Sequence, residues 1–148
     1  MIQAELSRRA FLRSSGAAMK ASCITLTFPM VLTACSRANE TRLNGGDFAT
    51  LSAVEAREYD AIAARIIPTD ETPGAREAGA VYFIDNVIAD AFERQRQTLR
   101  SGLADLQANT AALYDTALFA DLTSVQQDSL LTQIEETEFF ATIRFLVI

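Results

Sequence analysis

The chain contains no histidine among its 148 residues and only two cysteines, Cys23 and Cys35, neither with a second cysteine two or four residues away. These absences exclude c-type haem attachment, zinc-finger ligation and the Glu-x-x-His pairs of di-metal sites, and histidine acid and base catalysis goes with them. Basic residues are few: 13 Lys and Arg stand against 19 Asp and Glu, a formal charge of -6. That balance argues against a nucleic-acid partner, because neutralising phosphates requires a basic face. No Ser-x-x-Lys, Gly-x-Ser-x-Gly or phosphate-binding glycine loop occurs. No stretch alternates apolar and polar residues as a half-buried strand would, and no internal repeat is visible. What is present is 49% hydrophobic residues, the ordinary content of one globular domain.

The N-terminus is the most specific part. Ser7-Arg8-Arg9-Ala10-Phe11-Leu12-Arg13 forms a charged region with adjacent arginines, and an uncharged run follows from Ala21 to Ala34. At about 1.5 Å rise per residue that run reaches roughly 21 Å, short of a hydrocarbon core near 30 Å, so it suits a signal h-region better than a span. The pattern Ser7-Arg8-Arg9-x-Phe11-Leu12 resembles a twin-arginine translocation signal, whose substrates cross the bacterial inner membrane already folded. Leu32-Thr33-Ala34-Cys35 resembles a lipobox, in which the Cys35 sulfur would be alkylated by a diacylglyceryl group and cleavage would make Cys35 the N-terminus. An ordinary cut after Ala34 fits less well, because Leu32 would occupy a small-residue position. Two acyl chains, at about 0.8 kcal/mol per buried methylene, would hold the protein on a membrane without a spanning helix. Loss of residues 1–34 removes Arg8, Arg9, Arg13 and Lys20 against Glu5, leaving a more acidic, soluble body.

The expected organisation is a signal over residues 1–34, a flexible tether over 35–50 that is polar and contains Gly45-Gly46, and an all-α domain over 51–148, a small irregular bundle of about four to five helices. Ser52 with Glu55 makes a capping box for a first helix with Val54, Tyr59, Ile62, Ala63 and Ile66 on its apolar face; Pro68 ends it after Ile67. A constrained turn with Pro68, Pro73, Gly74 and Gly79 leads to a second helix bearing Val81, Ile84, Ile88, Ala91 and Phe92. That helix continues or restarts through Leu99, Leu103 and Leu106 to about Tyr114, with Gly102 as a candidate break. Thr123 and Gln126 cap a further helix with Val125, Leu130, Leu131 and Ile134. The final apolar run, Phe139 to Ile148, stops without glycine or polar tail; it buries on the core or a partner, or the chain is cut short there.

Carboxylates cluster at Asp70-Glu71 and at Glu135-Glu136-x-Glu138, but without calcium-loop spacing. Turn chemistry explains the first pair, since Asp bonds its own backbone in turns, and a solvated helix face explains the second cluster. Tyr59, Tyr82 and Tyr114 fall on or beside apolar faces, where packing accounts for them. No catalytic, cofactor-binding or metal-binding residue is identified in this chain.

The segment Ala61-Ile62-Ala63-Ala64-Arg65-Ile66-Ile67-Pro68-Thr69-Asp70-Glu71-Thr72-Pro73-Gly74-Ala75-Arg76-Glu77-Ala78-Gly79, with Phe83-Ile84-Asp85 after it, resembles the signature of the gluconate 2-dehydrogenase subunit 3 family. Weaker matching blocks are residues 119–128 and Glu138-Phe139-Phe140 leading to Arg144. The resemblance implies a small, non-catalytic subunit of a membrane-associated sugar or polyol dehydrogenase. It implies a large partner that carries FAD, and often a multihaem cytochrome c partner that carries haem c. It also implies a role in maturing and exporting the flavoprotein through the twin-arginine translocase. Family members continue beyond the Phe-Phe-x-x-x-Arg block into an aromatic tail, whereas this sequence ends at Ile148. Pro68, Asp70, Pro73, Gly74, Phe139, Phe140 and Arg144 are the residues expected to face the partner. The alternative is a stand-alone, lipid-anchored periplasmic binding module.

Overall fold

The computed structural model describes residues 26–91 and 93–148. Ser7, Arg8, Arg9, Phe11 and Leu12 therefore lie outside the described residues, as does Phe92. Seven α-helices and one short 3-10 turn make up the body, with no strand among the described residues. The all-α bundle expected from the sequence is present, with more helices than the four to five anticipated.

Helix α1 (Phe28–Asn44) begins with a proline in its first turn, where a missing N–H is harmless, and ends on Gly45 in the left-handed region at φ 61°. Helix α2 (Ala53–Ile66) starts at the expected capping box: the Ser52 hydroxyl accepts from the Glu55 N–H and the Glu55 carboxylate accepts from the Ser52 N–H. Helices α3 (Ala75–Ala78) and α4 (Ala80–Asp90) are joined at Gly79, also left-handed at φ 76°. Helix α5 (Glu93–Leu113) follows, then the 3-10 turn Phe119–Asp121, helix α6 (Ser124–Gln133) and helix α7 (Glu138–Val147). The Thr123 and Gln126 capping box opens α6 as expected.

Helix α2 is central, packing on α3, α4, the 3-10 turn, α6 and α7, while α5 closes against α7. The core collects Tyr59 and Ile62 of α2, Ile84 of α4, Leu99 of α5, Phe119 and Ile143. Each such side chain contributes about 1.5–3 kcal/mol by leaving water. The buried Tyr59 hydroxyl donates to the Leu99 carbonyl at 3.1 Å, and burial pushes its pKa up.

Three expectations change, and the final apolar run takes one of the courses expected of it, burial on the core. Residues 35–44, read as a flexible tether because they are polar, are the second half of α1; they are helical because one narrow side, Ala34 and Ala38, packs on α4. Val54 and Val125 are exposed rather than inward, because the buried face of α2 is rotated onto Ala56, Tyr59 and Ile62 and that of α6 onto Leu130 and Leu131. Gly102 does not break α5: the helix runs through it unbroken, and the missing side chain admits the Phe139 ring. The final apolar run is helix α7, with Phe139, Ile143 and Leu146 buried in the core and Phe145 and Ile148 exposed.

Two carboxylates that the sequence did not single out are fully enclosed. Asp85 of α4 accepts from the backbone N–H groups of Ala49, Thr50 and Leu51 at 2.7, 2.9 and 2.9 Å. Glu58 of α2 accepts from Phe119 and Ala120 N–H, both at 3.2 Å, and from the Gln107 amide at 3.4 Å. Burial pushes the Glu58 pKa up from its ordinary 4.5 against the pull of those bonds. A raised folded pKa stabilises the fold below the unfolded value and loses that stabilisation as pH rises through the folded one. Relative to Glu58→Gln, which cannot ionise, the unaltered protein should therefore lose stability as pH rises above 4.5. Urea unfolding of both across a pH series would show it, and a pH-independent difference would refute the role given to burial.

Candidate partner-binding site

Residues 67–79 form a compact, internally bonded corner. The Asp70 carboxylate accepts from the Thr72 N–H at 2.8 Å and the Thr72 hydroxyl at 2.9 Å, which holds its pKa below the usual carboxylate range. Glu77 accepts from the Thr69 hydroxyl at 2.6 Å and the Gly74 N–H at 3.0 Å, with the same effect on its own pKa. Arg76 pairs with Asp60 at 2.7 Å and pins the corner to α2. A Cβ at Gly74 would sit 2.6 Å from the Ile67 carbonyl oxygen, so glycine lets the chain fold back on itself here. Pro68, Asp70 and Pro73 stand exposed on the outside of this corner, whereas Gly74 is buried under it.

Beside the corner lies a groove of about 350 Å³ between the end of α2, α6 and α7. Its floor is Ile66, Leu131 and Phe140, and its rim carries Arg65, Asp128, Glu135 and Arg144. Arg65 and Asp128 form a two-pronged pair, Nε to Oδ1 at 2.7 Å and an outer nitrogen to Oδ2 at 2.6 Å. The pair holds the Asp128 pKa below the carboxylate range and raises that of Arg65. Arg144 is exposed on the opposite rim.

The residues expected to face a partner therefore divide. Phe140 and Arg144 come together in the groove, and Pro68, Asp70 and Pro73 stand on the corner that adjoins it. Phe139 and Gly74 turn inward, Phe139 because it belongs to the buried stripe of α7 with Thr142, Ile143 and Leu146, and Gly74 because its backbone is enclosed. The sequence did not reveal Arg65, Asp128 and Leu131 as groove residues; the spacing Arg65 to Asp128 spans two helices whose registry only the fold fixes. Among the described residues no group of three His, Cys, Asp or Glu side chains could hold a metal ion, and no helix is long and apolar enough to cross a membrane. Cys35 is a free, exposed thiol on α1.

The groove thus sets an apolar floor within a charged rim, next in the chain to an exposed corner whose hydrogen bonds are made internally. The sequence profile of the family described as gluconate 2-dehydrogenase subunit 3 matches residues 32–144, and the chain belongs to that family. Membership associates it with dehydrogenase complexes as an accessory subunit. No curated protein and no solved structure matches the chain.

Proposed function

We propose that this chain is the non-catalytic small subunit of a periplasmic, membrane-associated, FAD-dependent dehydrogenase of sugars or polyols. It helps the catalytic flavoprotein to fold, travels with it through the twin-arginine translocase and holds it at the membrane by a lipid on Cys35. In this reading FAD and haem c belong to the partner subunits, a flavoprotein and a multihaem cytochrome c. The observation that carries the reading is the groove: an apolar floor ringed by charge and flanked by a corner whose hydrogen bonds are already made. Such a surface enters a complex with little ordering to undergo, which favours affinity. The Ser7-Arg8-Arg9-x-Phe11-Leu12 pattern supports the export route, because a flavoprotein must take up its cofactor before it crosses.

Co-expression with a flavin-dependent catalytic subunit from the same genome tests the proposal. Dehydrogenase activity should reach the membrane fraction only when this chain is present, and the two should purify together. Arg144→Glu on the groove rim should lower recovery of the complex several-fold while leaving the melting temperature of the small subunit nearly unchanged. Replacing Arg8 and Arg9 by lysine should retain both proteins in the cytoplasm. Normal export of active flavoprotein without this chain would defeat the proposal, and a stand-alone binding module would then be the better description.

A further inference from the structure

The bond that a lipobox peptidase would cut lies inside a helix packed on the body. Ala34 and Cys35 stand in the middle of α1, and α1 packs on α4. The half-buried Val31 and Thr41 flank the buried Ala34 and Ala38 at spacings of three, four and three, so one helix face runs past the bond without a break. Ala34 is 5% exposed and belongs to the hydrophobic core. Two side-chain fastenings follow it: Arg37 pairs with Asp90 at 3.3 Å, and an Arg42 guanidinium nitrogen donates to the Glu77 carbonyl at 3.1 Å. In an α-helix each carbonyl also accepts from the N–H four residues on. The carbonyl that a peptidase must attack, that of Ala34, is therefore engaged by the helix while its side chain is enclosed by the seam.

The fastening is light. Alanines make the contact, Arg37 and Asp90 are each 55% exposed, and a pocket of about 180 Å³ lies where Cys35, Ala38 and Arg42 meet Ala78, Ala80 and Phe83. Exposed ion pairs hold weakly, so such a seam opens locally while the rest of the core stays folded. A peptidase acting on a folded protein cuts that opened state, at a rate set by how often it is populated. The export route fixes the order of events. A twin-arginine substrate crosses already folded, and a peptidase on the far side of the membrane meets α1 docked.

We propose that docking of α1 on α4 gates the removal of residues 1–34. The Ala34–Cys35 bond is cut only while the seam is open, and the docked chain keeps its N-terminal segment. In the cut, water adds across the bond, leaving a carboxylate on Ala34 and an amine on Cys35, and the core gives up Ala34. The Cys35 thiol is exposed on the docked helix, so the gate acts on the cut and not on the thiol. This rests on the lipobox reading above.

Pulse-labelled full chain, exported in bacterial cells, shows the cut as a shortened chain, and the chase gives its rate. Asp90→Arg sets a like charge against Arg37 from the α4 side and leaves every residue of α1 and of the signal unaltered. It should raise the rate about two- to five-fold, as should Arg37→Asp. The swap carrying both substitutions restores an opposite-charge pair and should return the rate to that of the unaltered chain, which general unfolding would not do. Ala38→Glu, which puts a charge into the seam, should raise the rate further. Equal rates in the unaltered chain, the single variants and the swap overturn the gate and leave the lipobox reading standing. A swap cut as fast as the single variants also overturns the gate. A chain that is never shortened, in the Ala38→Glu variant included, overturns the lipobox reading, and the gate falls with it.

Discussion

Replacing Asp85 by alanine should destabilise the protein by about 3 kcal/mol, a fall in melting temperature of roughly 10 °C for a body of this size. The carboxylate is 2% exposed and takes three consecutive backbone N–H groups from the segment between α1 and α2. Hydrogen bonds to a charged group are each worth about 1.5–3 kcal/mol net. The sum is less than additive, because Ala49 is exposed and water can replace its bond. Leu51 is buried, so its N–H has no such replacement. The same three bonds set the approach of the chain to Ser52, and losing them should fray the capping box that starts α2. Phe48, stacked on Tyr82 with ring centres 5.0 Å apart, and the buried Leu51 would then be left to hold the segment by apolar contact. Asp85→Asn should fall between the two, since its amide keeps one accepting oxygen and turns an N–H₂ toward an N–H. Chemical denaturation of the three proteins measures this directly. An alanine variant within about 1 kcal/mol of the parent would mean that water satisfies the segment unaided.

The sequence announces what is local and misses what is brought together over distance. Both capping boxes, the stop at Pro68 and the turn chemistry of Asp70 are legible because each needs only residues within a few positions. The second half of α1 is not legible: Ser36 to Asn44 are polar enough to read as coil, and their helix is held by contacts with residues some fifty positions away or fewer, Ala38 packed on α4, Arg37 paired with Asp90 and Arg42 bonded to the Glu77 carbonyl. Tertiary contact there overrides composition. Val54 and Val125 fail for a related reason. Periodicity finds that a face exists, but its rotation is set by which neighbours arrive, here the 3-10 turn and α7 on α2. At the groove, Phe140 and Arg144 were marked by the family resemblance, and they meet because α7 spaces them by four. Arg65, Asp128 and Leu131 were not legible as its lining, since they come from two other helices. Glu58 and Asp85 look in sequence like ordinary surface carboxylates, and only the fold shows them capturing backbone groups that would otherwise be buried unpaired.

The largest loss is expected at Phe139, and its neighbour Gly102 makes the result diagnostic. Phe139→Ala should cost about 3–5 kcal/mol, the usual range for emptying an aromatic site in a core, because the ring is 5% exposed between α5 and α7. Gly102 lies directly beneath it: a Cβ there would be 2.2 Å from Phe139 Cγ. Two opposing effects then decide what Gly102→Ala does. Alanine improves a helix interior by about 1 kcal/mol over glycine. Forcing a methyl into the ring should cost about 1–3 kcal/mol through overpacking. With Phe139 in place the clash wins, and Gly102→Ala is destabilising. With Phe139 already replaced by alanine the clash has no partner, only the helix term remains, and the same substitution becomes stabilising by about 1 kcal/mol. Its sign should therefore reverse with the background. Equilibrium unfolding of the two single variants and the double variant measures this. If Gly102→Ala has the same sign in both backgrounds, the ring does not seat on this glycine, and the closure of α7 against α5 has another cause.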